Sequence, residues 1–210
     1  MSSETAAVAA PIAGTGGHGT LIAVVGPSGA GKDSLLSYAR DGLGADPAVL
    51  FVRRVITRPA APEAEDHDSL PVDAFLAAQA SGLFAVAWQA HGLHYAIPAP
   101  VHRHLAGGGI AVVNGSRAAL PAIRAAFGRV VTIRISCRPE ILAARLAARG
   151  REDPGRQQAR LARSVTTAEA DREGIEIDNS GALAVAGDAL VAAIRSRMTK
   201  SASISPGREA

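Results

Sequence analysis

Apolar and polar positions along this chain fall into blocks with two different periods. Leu21-Ile22-Ala23-Val24-Val25 is an unbroken apolar run, the pattern of a short strand buried on both faces. A glycine-rich stretch follows. Then Ser34-Leu35-Leu36-Ser37-Tyr38-Ala39 places apolar residues at helical spacing. Residues 49–56 predict a second strand, ended by Thr57-Arg58-Pro59, and residues 60–70 a polar loop. Pro71 suits the first turn of a short helix over 72–79, stopped near Gly82. Residues 83–88 and 94–97 are extended runs about the turn Ala90-His91-Gly92, which predicts a hairpin. Residues 110–113 predict a strand that ends at Asn114-Gly115-Ser116-Arg117, followed by a helix over 118–127. A strand over 130–135, a helix from Pro139 to Gly150, an arginine-rich helix over 155–171, a short strand at 175–177 and a closing helix over 182–197 complete the chain.

Strands that alternate with helices predict an α/β fold, a parallel sheet flanked by helices. Residues 57–98 interrupt the alternation and read as an insertion. Ligands of such sheets sit at the carboxyl ends of the strands. The glycine-rich stretch, Thr57-Arg58 and Asn114-Gly115-Ser116-Arg117 are therefore expected to converge on one cleft. The chain reads as one domain over 20–200, with flexible segments at 1–19 and 201–210.

The stretch between first strand and first helix is Gly26-Pro27-Ser28-Gly29-Ala30-Gly31-Lys32-Asp33. Strand, glycines, Lys and helix in this order form a phosphate-binding loop, as in the P-loop NTPase fold. Glycines let the backbone turn its N–H groups onto phosphate oxygens, and the helix dipole adds to the attraction. Lys32 is expected to bring its charge to the β- and γ-phosphates of a nucleotide. Composition sharpens this point. The chain has 22 Lys plus Arg but only two lysines, Lys32 and Lys200. A compact ammonium is kept at this position where arginine serves elsewhere. The residue after the Lys, commonly a Ser or Thr whose hydroxyl meets Mg²⁺, is here Asp33, followed by Ser34.

Charge and composition limit the alternatives. The net charge of +3 and pI near 9.6 arise without any long Lys/Arg block, so no nucleic-acid surface is expected. The single Cys137 excludes an internal disulfide framework and points to a reducing, cytoplasmic setting. No apolar run has bilayer length, and residues 1–20 lack the basic start and apolar core of a signal peptide. Neither His91-x-x-His94 nor His102-x-His104 has Cys partners at zinc-site spacing.

A second constellation lies in residues 145–163. Arg145 and Arg149 are one helical turn apart, Arg149-Gly150-Arg151-Glu152 breaks the helix, and Arg156, Arg160 and Arg163 line the next. Guanidinium groups on a helix–loop–helix suit a lid, over about 145–165, that neutralises a moving phosphoryl group and excludes water. No nucleophile–base pair stands out. None is needed if the acceptor is itself a phosphate, already nucleophilic at neutral pH.

Taken together, the glycine-rich loop, Thr57-Arg58, the region of Phe84 to Tyr95 and the arginines from Arg145 to Arg160 resemble guanylate kinase. A further set is similar to the ribose 1,5-bisphosphate phosphokinases of phosphonate utilisation. It comprises Lys32-Asp33-Ser34-Leu35-Leu36, Ile56-Thr57-Arg58-Pro59, Glu65-x-His67, Trp88-x-Ala90-His91-Gly92-Leu93-x-Tyr95, Val113-Asn114-Gly115-Ser116-Arg117 and Arg149-Gly150-Arg151-Glu152. The resemblance implies transfer of the γ-phosphoryl of ATP to the 1-phosphate of ribose 1,5-bisphosphate, with Mg²⁺ held by Asp33 or by Ser34. It implies that Arg58 and Tyr95 bind the acceptor phosphate, with His67 where guanylate kinase has a second phosphate-contacting Tyr and Ala61 in place of a second Arg. Val86 stands where guanylate kinase has its guanine-binding Glu, Arg54 where it has a base-facing Ser, and Asn114 where it has an Asp or Glu. His91 and Arg117 join the expected acceptor set. Arg145, Arg149 and Arg160 match phosphate-contacting lid arginines, and Asn179 the adenine-side loop. Loss of the base-reading acid and arrival of a cation suit a sugar bisphosphate. The rival readings are a kinase acting on GMP and a non-catalytic guanylate-kinase-like binding module.

Overall fold

In the computed structural model the described residues are 6–7, 19–59, 66–90, 92–148 and 174–202. Their framework is a parallel sheet of β2 (Thr20–Val25), β3 (Val49–Phe51), β8 (Ile110–Asn114), β9 (Val130–Ser136) and β10 (Ile175–Asp178), in the order β10-β9-β2-β8-β3. The apolar run of β2 occupies the middle. Ile22 and Val24 point to one face, and Leu21, Ala23 and Val25 to the other. That double burial explains why the strand has no polar alternation.

On the first face lie α1 (Lys32–Leu43) and α6 (Leu183–Ala202), joined through Leu35, Leu36, Ala39, Leu190 and Ile194. On the second face lie α3 (Val101–Ala106), α4 (Leu120–Ala126) and the inner side of another sheet. At the sheet edge, α5 (Pro139–Ala148) follows β9. Arg134 and Glu176, opposite each other on β9 and β10, form an ion pair at 2.9 Å. Hydrogen bonding from Arg134 holds the Glu176 carboxyl below its usual range.

The other sheet has the order β1-β6-β7-β4-β5: β1 (Ala6–Ala7), β4 (Arg54–Ile56), β5 (His67–Ser69), β6 (Phe84–Ala90) and β7 (Leu93–Pro98). It contains the predicted hairpin, β6 against β7. Its inner side sends Val86, Trp88 and Ile97 into the layer shared with the parallel sheet. Its outer side packs Val55, Phe84, Ala87 and Ala96 on Phe75 of α2 (Val72–Ala80).

Three expectations are corrected here. The predicted strand over 49–56 is two strands in different sheets, since the chain leaves β8 after Val52 and joins β7 at Val55. The second sheet therefore begins before Thr57, and Thr57-Arg58 follows a strand of that sheet rather than of the parallel one. The predicted loop over 60–70 ends in β5, a strand paired in parallel with β4. Residues 101–106 form a helix that the pattern had not signalled. Among the described residues no helix is long and apolar enough to cross a membrane.

The α1–α6 contact closes the first face, so its loss should be felt globally. Leu190 is fully buried there. Leu190→Ala is expected to lower unfolding stability by about 2–5 kcal/mol, through lost burial and the cavity left behind. Urea denaturation should show a lower midpoint with an unchanged slope.

Candidate active site

The cleft opens at the carboxyl end of β2, where the backbone leaves the sheet into residues 26–31. Gly31 has φ +87°, the left-handed region, and directly precedes α1. Its missing side chain also makes room: a Cβ there would overlap the amide nitrogen of Asn179. Asn179 follows β10 and is 2% exposed, and its Nδ2 donates to the Ala30 carbonyl at 2.7 Å. The Asn179 Oδ1 is buried with no hydrogen-bond partner. The end of β10 thus props the loop from below.

Lys32 is the first residue of α1. Its Nζ donates to the carbonyls of Gly26 (2.9 Å) and Pro27 (3.0 Å), so the ammonium curls back over the loop. The first intrahelical bond closes at Leu35, whose N–H donates to Gly31. The N–H groups ahead of it have no partner within the helix, which makes the turn an anion site. Arg145 of α5 stands beside the loop, its Nη1 donating to Cys137 Sγ at 3.6 Å and lying near Gly31. Arg149 and Arg160, with Arg151, Arg156 and Arg163, lie outside the described residues, as does the second helix of the predicted lid.

Asn114, the last residue of β8, is 6% exposed and donates from Nδ2 to Asp33 Oδ1 at 2.7 Å. Asp33 and Ser34, in the first turn of α1, are both exposed. Arg117 is half-buried beyond β8. The loop and the Asn114 turn therefore meet as expected. Asp33 and Asn114 also line a cleft with Ser37, Arg40, Phe51 and Asp66.

Asp66, before β5, brings the second sheet to the rim of this cleft, and the inner face of that sheet carries further expected residues. Arg54 is 6% exposed, and its guanidinium sits 5.1 Å from the Tyr95 ring and 5.9 Å from Trp88. Those two rings are stacked at 5.6 Å. Arg54 is opposite His67 in the β4–β5 register, and Val86 is fully buried in the same inner layer. Arg58 has a buried Nε with no hydrogen-bond partner. Its carbonyl accepts from Ser69 Oγ (2.8 Å) and from His67 Nε2 (3.3 Å), so both residues fix the Arg58 backbone. His91, Ala61 and Glu65 lie outside the described residues.

Other histidines serve the fold. His94 packs on Phe75 at 5.3 Å, and His104 Nε2 is 3.0 Å from the Ile110 carbonyl. Among the described residues no group of three or more His, Cys, Asp and Glu stands together to hold a metal ion. The pattern missed Ser69 and Asp66. Asp66 bridges Arg40 of α1 (2.9 Å) and Arg53 beside β4 (3.4 Å), linking α1 to the residue before β5. Neither residue carries a sequence signal, because each acts only through partners distant along the chain.

No family model matches the chain. A protein of Agrobacterium fabrum named ribose 1,5-bisphosphate phosphokinase PhnN is 46% identical over 171 residues, covering 81% of this chain and 93% of that protein. A Rhizobium etli protein of the same name is 46% identical, covering 83% of this chain and 89% of its own. One from Brucella melitensis is 47% identical, covering 78% and 85%. Among solved structures, guanylate kinase from Anaplasma phagocytophilum has a similar fold, with a TM-score of 0.66 at 18% identity over 86% of each chain.

The loop geometry yields a paired prediction. Gly31→Ala combines a left-handed φ with a collision against Asn179, whereas Gly82→Ala has a similar φ (+72°) but open space. Gly82→Ala should cost about 1 kcal/mol and leave nucleotide binding intact. Gly31→Ala should abolish binding of a fluorescent adenine nucleotide, read by titration beside a thermal melt.

Proposed function

This chain belongs to the family of ribose 1,5-bisphosphate phosphokinases, and from that membership and the cleft we propose that it phosphorylates ribose 1,5-bisphosphate at its 1-phosphate, using ATP. The bond between the γ-phosphorus of ATP and the β–γ bridging oxygen breaks. A new bond forms from that phosphorus to an oxygen of the acceptor 1-phosphate. The products are ADP and 5-phosphoribosyl 1-diphosphate. The attacking oxyanion needs no base, so the protein's work is positioning and charge neutralisation.

The observation that carries this reading is the buried Arg58 Nε without a hydrogen-bond partner. A buried guanidinium donor left unmatched is costly, and an acceptor phosphate would satisfy it. Arg58 and Tyr95 hold the 1-phosphate, and Arg54, the cation beside the stacked Trp88 and Tyr95 rings, holds the 5-phosphate. His67 and Ser69 keep Arg58 in place. The buried apolar Val86 offers nothing to a guanine edge, whose polar groups would lose their partners against it.

On the donor side Lys32, the first turn of α1 and Arg145 hold the ATP phosphates, while Asn179 supports the loop. The donor set suits Mg²⁺: one exposed hard carboxylate, Asp33, beside the phosphate site, the remaining ligands coming from phosphate and water. When bound, Mg²⁺ neutralises the charge of the β- and γ-phosphates. Arg149 and Arg160 complete the neutralising set, and His91 and Arg117 the acceptor side.

The deciding assay is ADP release from MgATP with ribose 1,5-bisphosphate, with GMP, and with neither. Turnover is expected on the sugar bisphosphate, and turnover on GMP alone would overturn the reading. Arg54→Ala should raise the KM for ribose 1,5-bisphosphate about 10- to 100-fold, the worth of a charged hydrogen bond. An unchanged KM would refute the role given to Arg54. Lys32→Ala should lower kcat/KM at least about 100-fold with no loss of thermal stability.

A further inference from the structure

Asp33 and Asn114 are 81 residues apart in the chain and joined by a 2.7 Å hydrogen bond. The two ends differ in freedom. Asn114 is buried at the end of β8 and held in register opposite Val24, two residues before the phosphate loop. Asp33 is exposed on the first turn of α1, next to Lys32. A carboxylate here opposes the charge logic of its surroundings. Like charges brought this close repel strongly at the effective dielectric of a protein cleft. A cation between carboxylate and phosphate turns that repulsion into attraction.

We propose that Asn114 is a positioning residue, its amide holding one oxygen of Asp33 so that the carboxylate is aimed at the divalent cation that accompanies the nucleotide. This rests on the ATP-dependent transfer proposed above. The chemistry of the partner fits the task. An amide fixes the carboxylate while leaving its full charge for the metal, whereas Arg or Lys would neutralise it and Asp would repel it. Outer groups of this kind orient metal ligands, and their loss weakens metal affinity about 10- to 100-fold.

The test reads thermodynamic coupling rather than turnover. Calorimetry measures ADP affinity of the full-length protein with and without Mn²⁺, and the ratio is the metal enhancement. Asn114→Leu is expected to cut the enhancement about tenfold, Asp33→Asn to do the same, and the double variant to lose no more than either alone. Metal-free ADP affinity should hold in Asn114→Leu and rise in Asp33→Asn and the double variant, which lose the repulsion of the carboxylate. Asn114→Asp, closer in shape should Leu impair folding, is expected to cut the enhancement likewise. An unchanged enhancement in Asn114→Leu and Asn114→Asp overturns the proposal. So do losses that multiply in the double variant, or equal weakening of ADP with and without Mn²⁺, which would mark a merely structural role. A raised KM for the acceptor with intact enhancement also overturns it and returns Asn114 to the substrate. Lack of turnover on ribose 1,5-bisphosphate would refute the proposed reaction and leave the calorimetric result decisive for this pair.

Discussion

The constraint on which this molecule depends is the close approach of the Asn179 side chain to the backbone at Gly31. The loop must leave β2, turn through a left-handed residue and enter α1 with its first N–H groups facing the cleft. That path exists only because the Asn179 amide occupies the space a side chain would need and grips the Ala30 carbonyl. The strands on either side serve it. β2 delivers the loop, β9 leads to Arg145, β10 delivers Asn179, and β8 delivers Asn114. Their parallel order brings all four ends to one edge of the sheet, so residues remote in the chain act on the same few ångströms of backbone.

The opposite wall follows a different rule. Its sheet is largely antiparallel, with one layer of apolar side chains between it and the parallel sheet. Cationic side chains stand on its inner face among aromatic rings rather than at strand ends. Arg54 owes its place to alternation along β4: Val55 faces α2, and Arg54 and Ile56 face the other way. Hydrogen bonds to its carbonyl rather than to its guanidinium hold Arg58. Under the function proposed above the two walls divide the labour, one holding a donor by main-chain groups and the other an acceptor by side chains.

How much of this was legible follows from the range of each interaction. The phosphate loop was readable because strand, glycines, Lys32 and helix are consecutive. The hairpin of β6 and β7 was readable for the same reason. The break between β3 and β4 was hidden, since Val49 and Val55 are both buried and hydrophobicity does not record which sheet buries them. The strand β5 was hidden because His67-Asp68-Ser69 is polar and takes its structure from β4. In the site, Lys32 and Asn179 were legible as motif members, whereas the bond between Asp33 and Asn114 was not. Each looked like an isolated departure from a motif, and only the β2–β8 register brings them together.

The shared apolar layer has a consequence for how this cleft can evolve. Val86, Trp88 and Ile97 are core residues as well as neighbours of the proposed acceptor wall, and Arg54 is nearly as buried as they are. Any change in acceptor preference made there is also a change in packing density, where volume changes are poorly tolerated. Selectivity and foldability therefore draw on the same side chains. A lineage moving toward a new acceptor must either carry surplus stability beforehand or alter the cleft from its rim, where residues contact the ligand without supporting the core.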